Sequence, residues 1–234
     1  MRKWVKTYIA SLRKDIVILL ILDCVFLLIM ELVLKRIPAP FPIFVKVGNV
    51  AITLGISFLA SFVFYFVQVH MPETRQKKDL YPIIAELFHR IINNEKEFLT
   101  NMVGEKSYND LTEDNIRFGI NSRDVNIKNA PLYLAGPERN ADWMEYGFYQ
   151  VTDIDKSWEM LMKYSAYMES EFLSMLSKIQ SDTTIGFFRT MKGIYPTFRH
   201  GLHLRGFEDG FVRLWKSING QEKYYQKVFA EYKI

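Results

Sequence analysis

The chain reads as an all-α protein: an N-terminal two-helix transmembrane hairpin, then a cytoplasmic helical bundle with one long helix. Three observations predict this. Two apolar runs of membrane-crossing length, Ile16 to Leu34 and Val47 to Val69, lie almost back to back. A Pro-rich corner, Ile37-Pro38-Ala39-Pro40-Phe41-Pro42, separates them. Beyond Pro72 the apolar residues recur at helical spacing among charged ones. The expected domains are therefore 1–72, the hairpin, and 73–234, the helical domain.

The first run, 16–34, carries Asp23 near its middle and Glu31 near its outer end. It exceeds the roughly 7–15 residues of a signal-peptide core, and no small-x-small cleavage site follows it. The second run, 47–69, has no charge. A soluble core helix can also be apolar all round, but two full-length runs in succession argue for a bilayer. The corner cannot be helical, because each Pro fixes φ and pushes its predecessor towards extended geometry. Arg2, Lys3, Lys6, Arg13 and Lys14 precede the first span, and Arg75, Lys77 and Lys78 follow the second. Only Lys35, Arg36 and Lys46 flank the corner, so the bias places both termini in the cytoplasm of a multi-pass inner-membrane protein. Trp4, Tyr8, Phe41, Phe44 and Tyr65 fall near the expected interfaces.

A charge at the depth of Asp23 costs a few kcal/mol or more, so it should be protonated, paired, or facing protein or water. Its depth matches Ser57 to Ser61 of the second span. Thr53, Ser57, Ser61 and Gln68 share one helical face. One reading makes Asp23 and this stripe the lining of an oligomeric pore. The other makes them interhelical hydrogen bonds worth about 1 kcal/mol each, and is favoured because one hairpin cannot enclose a channel. Gly48, Ala51 and Gly55 form a second face of small residues that permits close helix approach and self-association.

Residues 1–72 hold eight Lys/Arg against three acids, and the remainder holds 22 against 23. The basic balance thus belongs to the anchor and argues against direct nucleic-acid binding. The single Cys24 excludes an intrachain disulfide and a thiolate metal cluster.

In the helical domain, Asp79 reads as an N-cap with Pro82 in the first turn. Leu80, Ile84, Leu87, Ile91, Phe98 and Met102 then mark one face, ending near Gly104. Residues 105–140 read as irregular. They contain a short helix from Leu111 to Phe118 stopped by Gly119, and turns at Asn129-Ala130-Pro131 and Gly136-Pro137. From Asp142 to Ile179, apolar residues recur 3-4-3-4 with Ser165 as the only interruption, which predicts one helix of about 25–38 residues. Its broad Trp, Phe and Met side chains favour a bundle contact over a coiled-coil subunit contact.

The stretch Ile185 to Phe207 carries Arg189, Lys192, Arg199 and Arg205 without an acid, interleaved with aromatics and four glycines. It reads as a bendable segment that either meets an anionic surface, lipid ahead of nucleic acid, or pairs with acids elsewhere. The last element, Phe207 to Tyr232, is a helix with Asn219-Gly220 as a kink point.

The residues offer no catalytic set. There is no Gly-rich phosphate loop, no H-E-x-x-H and no nucleophile elbow. His200 and His203 stand three apart without a nearby carboxylate upstream, so no metal or cofactor is expected and the chain is not read as an enzyme.

Several features resemble a group of uncharacterised bacterial two-span membrane proteins with an all-helical cytoplasmic domain. These are the basic N-terminus, the V-x-V-x-M-P-E-x-R-x-K-K stretch from Val67 to Lys78, the short acidic helix after Leu111 and the W-M-E-Y start at Trp143 to Tyr146. Such proteins recur as membrane effectors beside antiphage systems, including some retrons. The resemblance implies an effector or toxin that oligomerises and perturbs the inner membrane when a cytoplasmic protein partner releases it. The alternative is a membrane-tethered adapter whose helical domain docks a partner.

Overall fold

The computed structural model describes Leu12 and residues 14–32, 41–198 and 203–230. The basic residues before Leu12, Arg13, the corner as far as Pro40, Arg199, His200 and Tyr232 lie outside the described residues. The fold is all-α, with one minimal strand pair. The chain divides into two compact units, Met1–Asp79 and Leu80–Ile234.

The first unit contains α1 (Lys14–Leu32) and α2 (Pro42–Tyr65), followed by a π-helical turn at Phe66–His70. Pro42 begins α2, where its missing N–H costs nothing. Among the described residues, one helical stretch, Val45–Val103, is long and apolar enough to cross a membrane. Only 6% of its most apolar window is buried, unlike the core helix of a soluble protein. The middle of α1 is equally apolar, but its 19 residues include Lys14, Asp15, Asp23 and Glu31.

Helix α3 runs from Met71 to Val103 with Pro82 inside it, so the expected break and restart at Asp79 do not occur. The π turn gives the reason. Met71 N–H donates to Phe66 O, five residues back, just before Pro72, which has no N–H to give. The Glu73 to Lys78 run then consists mostly of good helix formers.

The second unit is built on the apolar face of α3. Ile84, Phe88, Ile91, Ile92, Phe98, Leu99 and Met102 are buried there. Gly104, with φ +92°, ends the helix in the left-handed region that glycine favours. Arg123 closes this end. It donates from Nε to Met102 O (2.9 Å) and from Nη2 to Asn101 O (3.3 Å), with its guanidinium 4.1 Å from the Trp143 ring centre. Burial lowers the Arg123 pKa, yet cation–π contact and terminal carbonyls both favour the charge.

Helix α4 (Glu113–Ser122) starts with a reciprocal cap between Thr112 and Asn115. It passes through Gly119 rather than stopping there. Gly119 serves a close approach instead: a Cβ would lie 2.5 Å from Val103 O. Residues 133–140, expected to be irregular, form β1 (Tyr133–Leu134) and β2 (Arg139–Asn140). These are antiparallel and pair Leu134 with Arg139 around the Gly136-Pro137 turn.

The single helix expected over 142–179 is two helices, α5 (Trp143–Met162) and α6 (Ser170–Gln180). A 3-10 turn at Ser165–Tyr167 and an extended Met168 (φ −94°, ψ 149°) separate them. The break falls at Ser165, the one polar residue of the seam. Trp158 on α5 then donates from Nε1 to Leu176 O on α6 (3.2 Å), so the two halves pack on each other. The expected bendable segment is also helical: α7 (Thr183–Phe198) includes Gly186 and Gly193. Asp182 starts it by accepting from the N–H of Thr184 (2.8 Å) and Ile185 (3.1 Å). Helix α8 (Glu208–Val228) runs through Asn219-Gly220 and packs on α4, as α5 does on α7.

The α5–α7 contact depends on Gly147, where a Cβ would enter the buried Phe188 ring. We expect Gly147→Ala to cost about 1–3 kcal/mol. At Gly186 a Cβ meets nothing within 4 Å, so Gly186→Ala should gain up to about 1 kcal/mol. Thermal unfolding of the two variants should move in opposite directions; equal shifts would refute the packing argument.

Candidate functional site

The polar residues singled out in the first unit fall into two sets. Helix α1 turns Ile16, Leu20, Asp23, Leu27 and Met30 to its less exposed side, spaced by threes and fours. On α2 that side holds Gly48, Ala51, Ile52 and the buried Gly55. The two faces touch at the glycines. A Cβ on Gly55 would lie 2.8 Å from Leu27 Cδ2 and 3.0 Å from Asp23 Oδ1, and one on Gly48 would lie 3.4 Å from Met30 Cε. Asp23 thus meets the small-residue face, where its buried Oδ2 has no hydrogen-bond partner among the described residues.

Thr53, Ser57 and Ser61 lie elsewhere, on an exposed face of α2. Each hydroxyl donates to the carbonyl four residues back, on Asn49, Thr53 and Ser57 respectively, at 2.8 Å. Gln68 is exposed within the π turn. The structure therefore brings Asp23, with Leu27, to Gly55, and does not bring it to the hydroxyl stripe. Spacing alone revealed both faces of α2 but not which of them meets α1.

In the second unit the basic residues hold protein groups. Arg189 forms a fork with Asp155 of α5, Nε to Oδ2 at 3.0 Å and Nη2 to Oδ1 at 2.5 Å, and also donates to Gln180 O at 3.2 Å. The Asp155 carboxylate raises its pKa. Lys192 donates to Thr152 Oγ1 (2.8 Å) and Arg205 to Asn121 Oδ1 (3.2 Å). His203 is exposed, and no His, Cys or carboxylate group suited to a metal occurs among the described residues.

Two polar features escaped the sequence reading. The first joins the strand pair to α5. Arg139 holds Glu145 through two 2.7 Å hydrogen bonds. Glu145 and Asp142 cap each other across the start of α5 (3.0 and 2.9 Å), and the Tyr195 hydroxyl of α7 donates to Asp142 Oδ2 at 3.0 Å. The signal was the D-x-x-E capping box just ahead of an apolar run.

The second is Glu95, fully buried on the apolar face of α3 between Ile92 and Phe98. Among the described residues neither carboxyl oxygen makes a hydrogen bond of good geometry, although the Gln221 amide of α8 lies beside it and acts on it. Burial pushes its pKa up to about 8. The Gln221 side chain opposes this and the Asp182 carboxylate adds to it. An acid at four-residue spacing from Ile91, in the buried phase of a helix, was its signal in the sequence.

Compared with protein families, curated proteins and solved structures, the chain matches none.

Glu95 carries a pH signature. Between its ordinary value of 4.5 and about 8, the folded chain binds a proton that the unfolded chain releases, so stability falls as pH rises. The loss reaches about 1.4 kcal/mol per pH unit inside that window. Glu95→Gln should flatten this dependence, unfolding at a higher temperature than the parent at pH 8 and at a similar one at pH 4.5. An unchanged slope would refute it.

Proposed function

We propose that the protein is a bacterial inner-membrane effector that oligomerises to perturb the bilayer when a cytoplasmic partner triggers it. In this reading α1 and α2 are an antiparallel transmembrane hairpin, with both termini in the cytoplasm. The Gly55–Asp23 and Gly48–Met30 proximities support the opposed directions, and the uncharged length of α2 supports the span. The helical unit receives the trigger. The resemblance to two-span effectors supports a role in antiphage defence.

The observation that carries this reading is the exposed hydroxyl stripe Thr53, Ser57 and Ser61 on an otherwise apolar helix, on a face α1 leaves uncovered. Back-bonding satisfies each donor but leaves acceptor capacity on each oxygen. A second copy laid along this stripe would enclose polar groups within the bilayer, the arrangement in which intramembrane polar residues act. Asp23 bears on the same event. A carboxyl wedged at a glycine contact ties the pairing of α1 and α2 to what its oxygens meet there.

The competing adapter reading treats the hairpin as a tether only. Its specific support is the exposed aromatic surface of the helical unit, where Phe118 is 76% and Tyr133 62% exposed.

Expression in bacteria with a potential-sensitive dye separates the two. We expect depolarisation with the parent chain. Asp23→Leu, or Ser57→Leu with Ser61→Leu, should abolish it while membrane insertion is unchanged. Exchange of residues 1–72 for an unrelated two-span anchor should also abolish it. Retained activity after that exchange would establish the adapter instead.

A further inference from the structure

Glu95 of α3 and Gln221 of α8 leave three buried oxygens together without a donor. Glu95 is 0% and Gln221 2% exposed, and the amide of one acts on the carboxyl of the other. Among the described residues Glu95 Oε1, Glu95 Oε2 and Gln221 Oε1 make no hydrogen bond. Gln221 Nε2 has a long contact, 3.5 Å, to Ser217 Oγ. The charged groups around the pair have other partners. Lys96, next along α3, pairs with Glu222 at 2.6 Å and lies over the Tyr108 ring. The Tyr108 hydroxyl donates to Asn219 Oδ1 at 3.0 Å. Asp182 accepts from two backbone N–H groups at the start of α7, and its carboxylate adds to the burial of Glu95 in favouring the neutral acid. Arg213 acts on Asp182. On the solvent side, Glu171 and Lys178 of α6 and Lys216 of α8 line an open cleft that Gln221 also lines, and Lys216 lies 3.1 Å from Glu113.

An ionised carboxylate brings only acceptors to a place already short of donors. A neutral acid supplies the missing O–H. It donates to Gln221 Oε1, and a small turn of the amide lets its N–H answer the other carboxyl oxygen, so that both side chains are satisfied. We propose that Glu95 and Gln221 form a proton-dependent latch between α3 and α8: the neutral acid, bonded to the amide, holds the second half of α8, and loss of its proton to solvent through the α6–α8 cleft releases that half. The division within α8 follows from its contacts. Arg117 and Glu113 of α4 hold Asp209 and Lys216 in the first half. The second half meets α3 through the Glu95–Gln221 pair and the more exposed Lys96–Glu222 pair. The latch belongs to the helical unit and stands independently of the membrane role.

Two measurements on the full-length protein in nonionic detergent test this. The first is infrared difference spectroscopy of the parent against Glu95→Gln. At pH 6 the parent should show the carbonyl band of a neutral carboxylic acid that the variant lacks, and the band should fade as the pH passes about 8. Its absence at pH 6 would overturn the proposal. The second is hydrogen exchange, corrected for base catalysis. A released carboxyl takes its ordinary value of 4.5 and the latched one about 8, so release gives up a proton and is favoured as pH rises through that window, levelling off above it. Between pH 6 and pH 8 the amides of 219–228 should lose up to about tenfold in protection per pH unit, while those of α5 and α7 keep theirs. Glu95→Gln, whose amide pairs with Gln221 at any pH, should abolish the loss. Equal loosening of all three helices would overturn the latch, because the proton would then govern the fold as a whole. Persistence of the α8 effect in Glu95→Gln would overturn it by assigning the effect to another group.

Discussion

The helical unit depends on aromatic contact along one face of α3. Phe88 meets Phe172 of α6 edge-on at 4.9 Å and reaches Tyr225 and Phe229 at 6.1 and 6.2 Å. Three turns further on, Phe98 meets Phe188 of α7 at 5.2 Å and Phe211 of α8 at 6.0 Å. Two side chains on one helix thus fix three others in depth and register. Large rings at these positions bury more area than any aliphatic residue would, and their edge-to-face preference adds direction to an otherwise non-directional attraction. Gly147 follows from this arrangement, because the α5 backbone can come this close to the Phe188 ring only where it has no side chain, while the neighbouring Phe148 meets the same ring edge-on at 6.4 Å.

Against that apolar frame the polar exceptions stand out. Glu95 sits in the same face of α3 as the two phenylalanines, and Asp23 sits where α1 meets the glycines of α2. Each has a buried carboxyl oxygen without a hydrogen-bond partner among the described residues. Carboxyls so placed oppose folding or association unless they are neutral or find a donor. Arg189, Glu145 and Asp142 show the opposite solution, in which each charge meets a partner across an element boundary and secures two elements at once.

What could be read from the sequence follows from how local each determinant is. Helix α3 was legible because Ile84, Ile91, Phe98 and Met102 repeat at its own period, and Gly104 ends it where expected. The break between α5 and α6 was hidden, because the apolar rhythm resumes in phase after Ser165 and a 3-10 turn costs the pattern nothing. The helix over 183–198 was obscured by glycines that, in the fold, are helical positions with open space where a Cβ would stand. The partners of Arg189 and Lys192 lie 34 and 40 residues away, beyond any spacing rule. In the first unit the composition of α2 showed both a hydroxyl face and a small-residue face. Which one meets α1 is settled by how closely two backbones can approach, and glycine wins that contest.

One junction has an evolutionary corollary. Arg123 fills the space beside Gly104, with Nη2 2.7 Å from where a Cβ would stand, while it stacks on Trp143 and serves the carbonyls of Asn101 and Met102. No single replacement preserves all of these: a side chain at 104 evicts the guanidinium, lysine lacks the planar fork, and a smaller residue at 143 removes the stacking platform. Positions 104, 123 and 143 should therefore drift through divergent descendants as a linked trio, kept together or exchanged together.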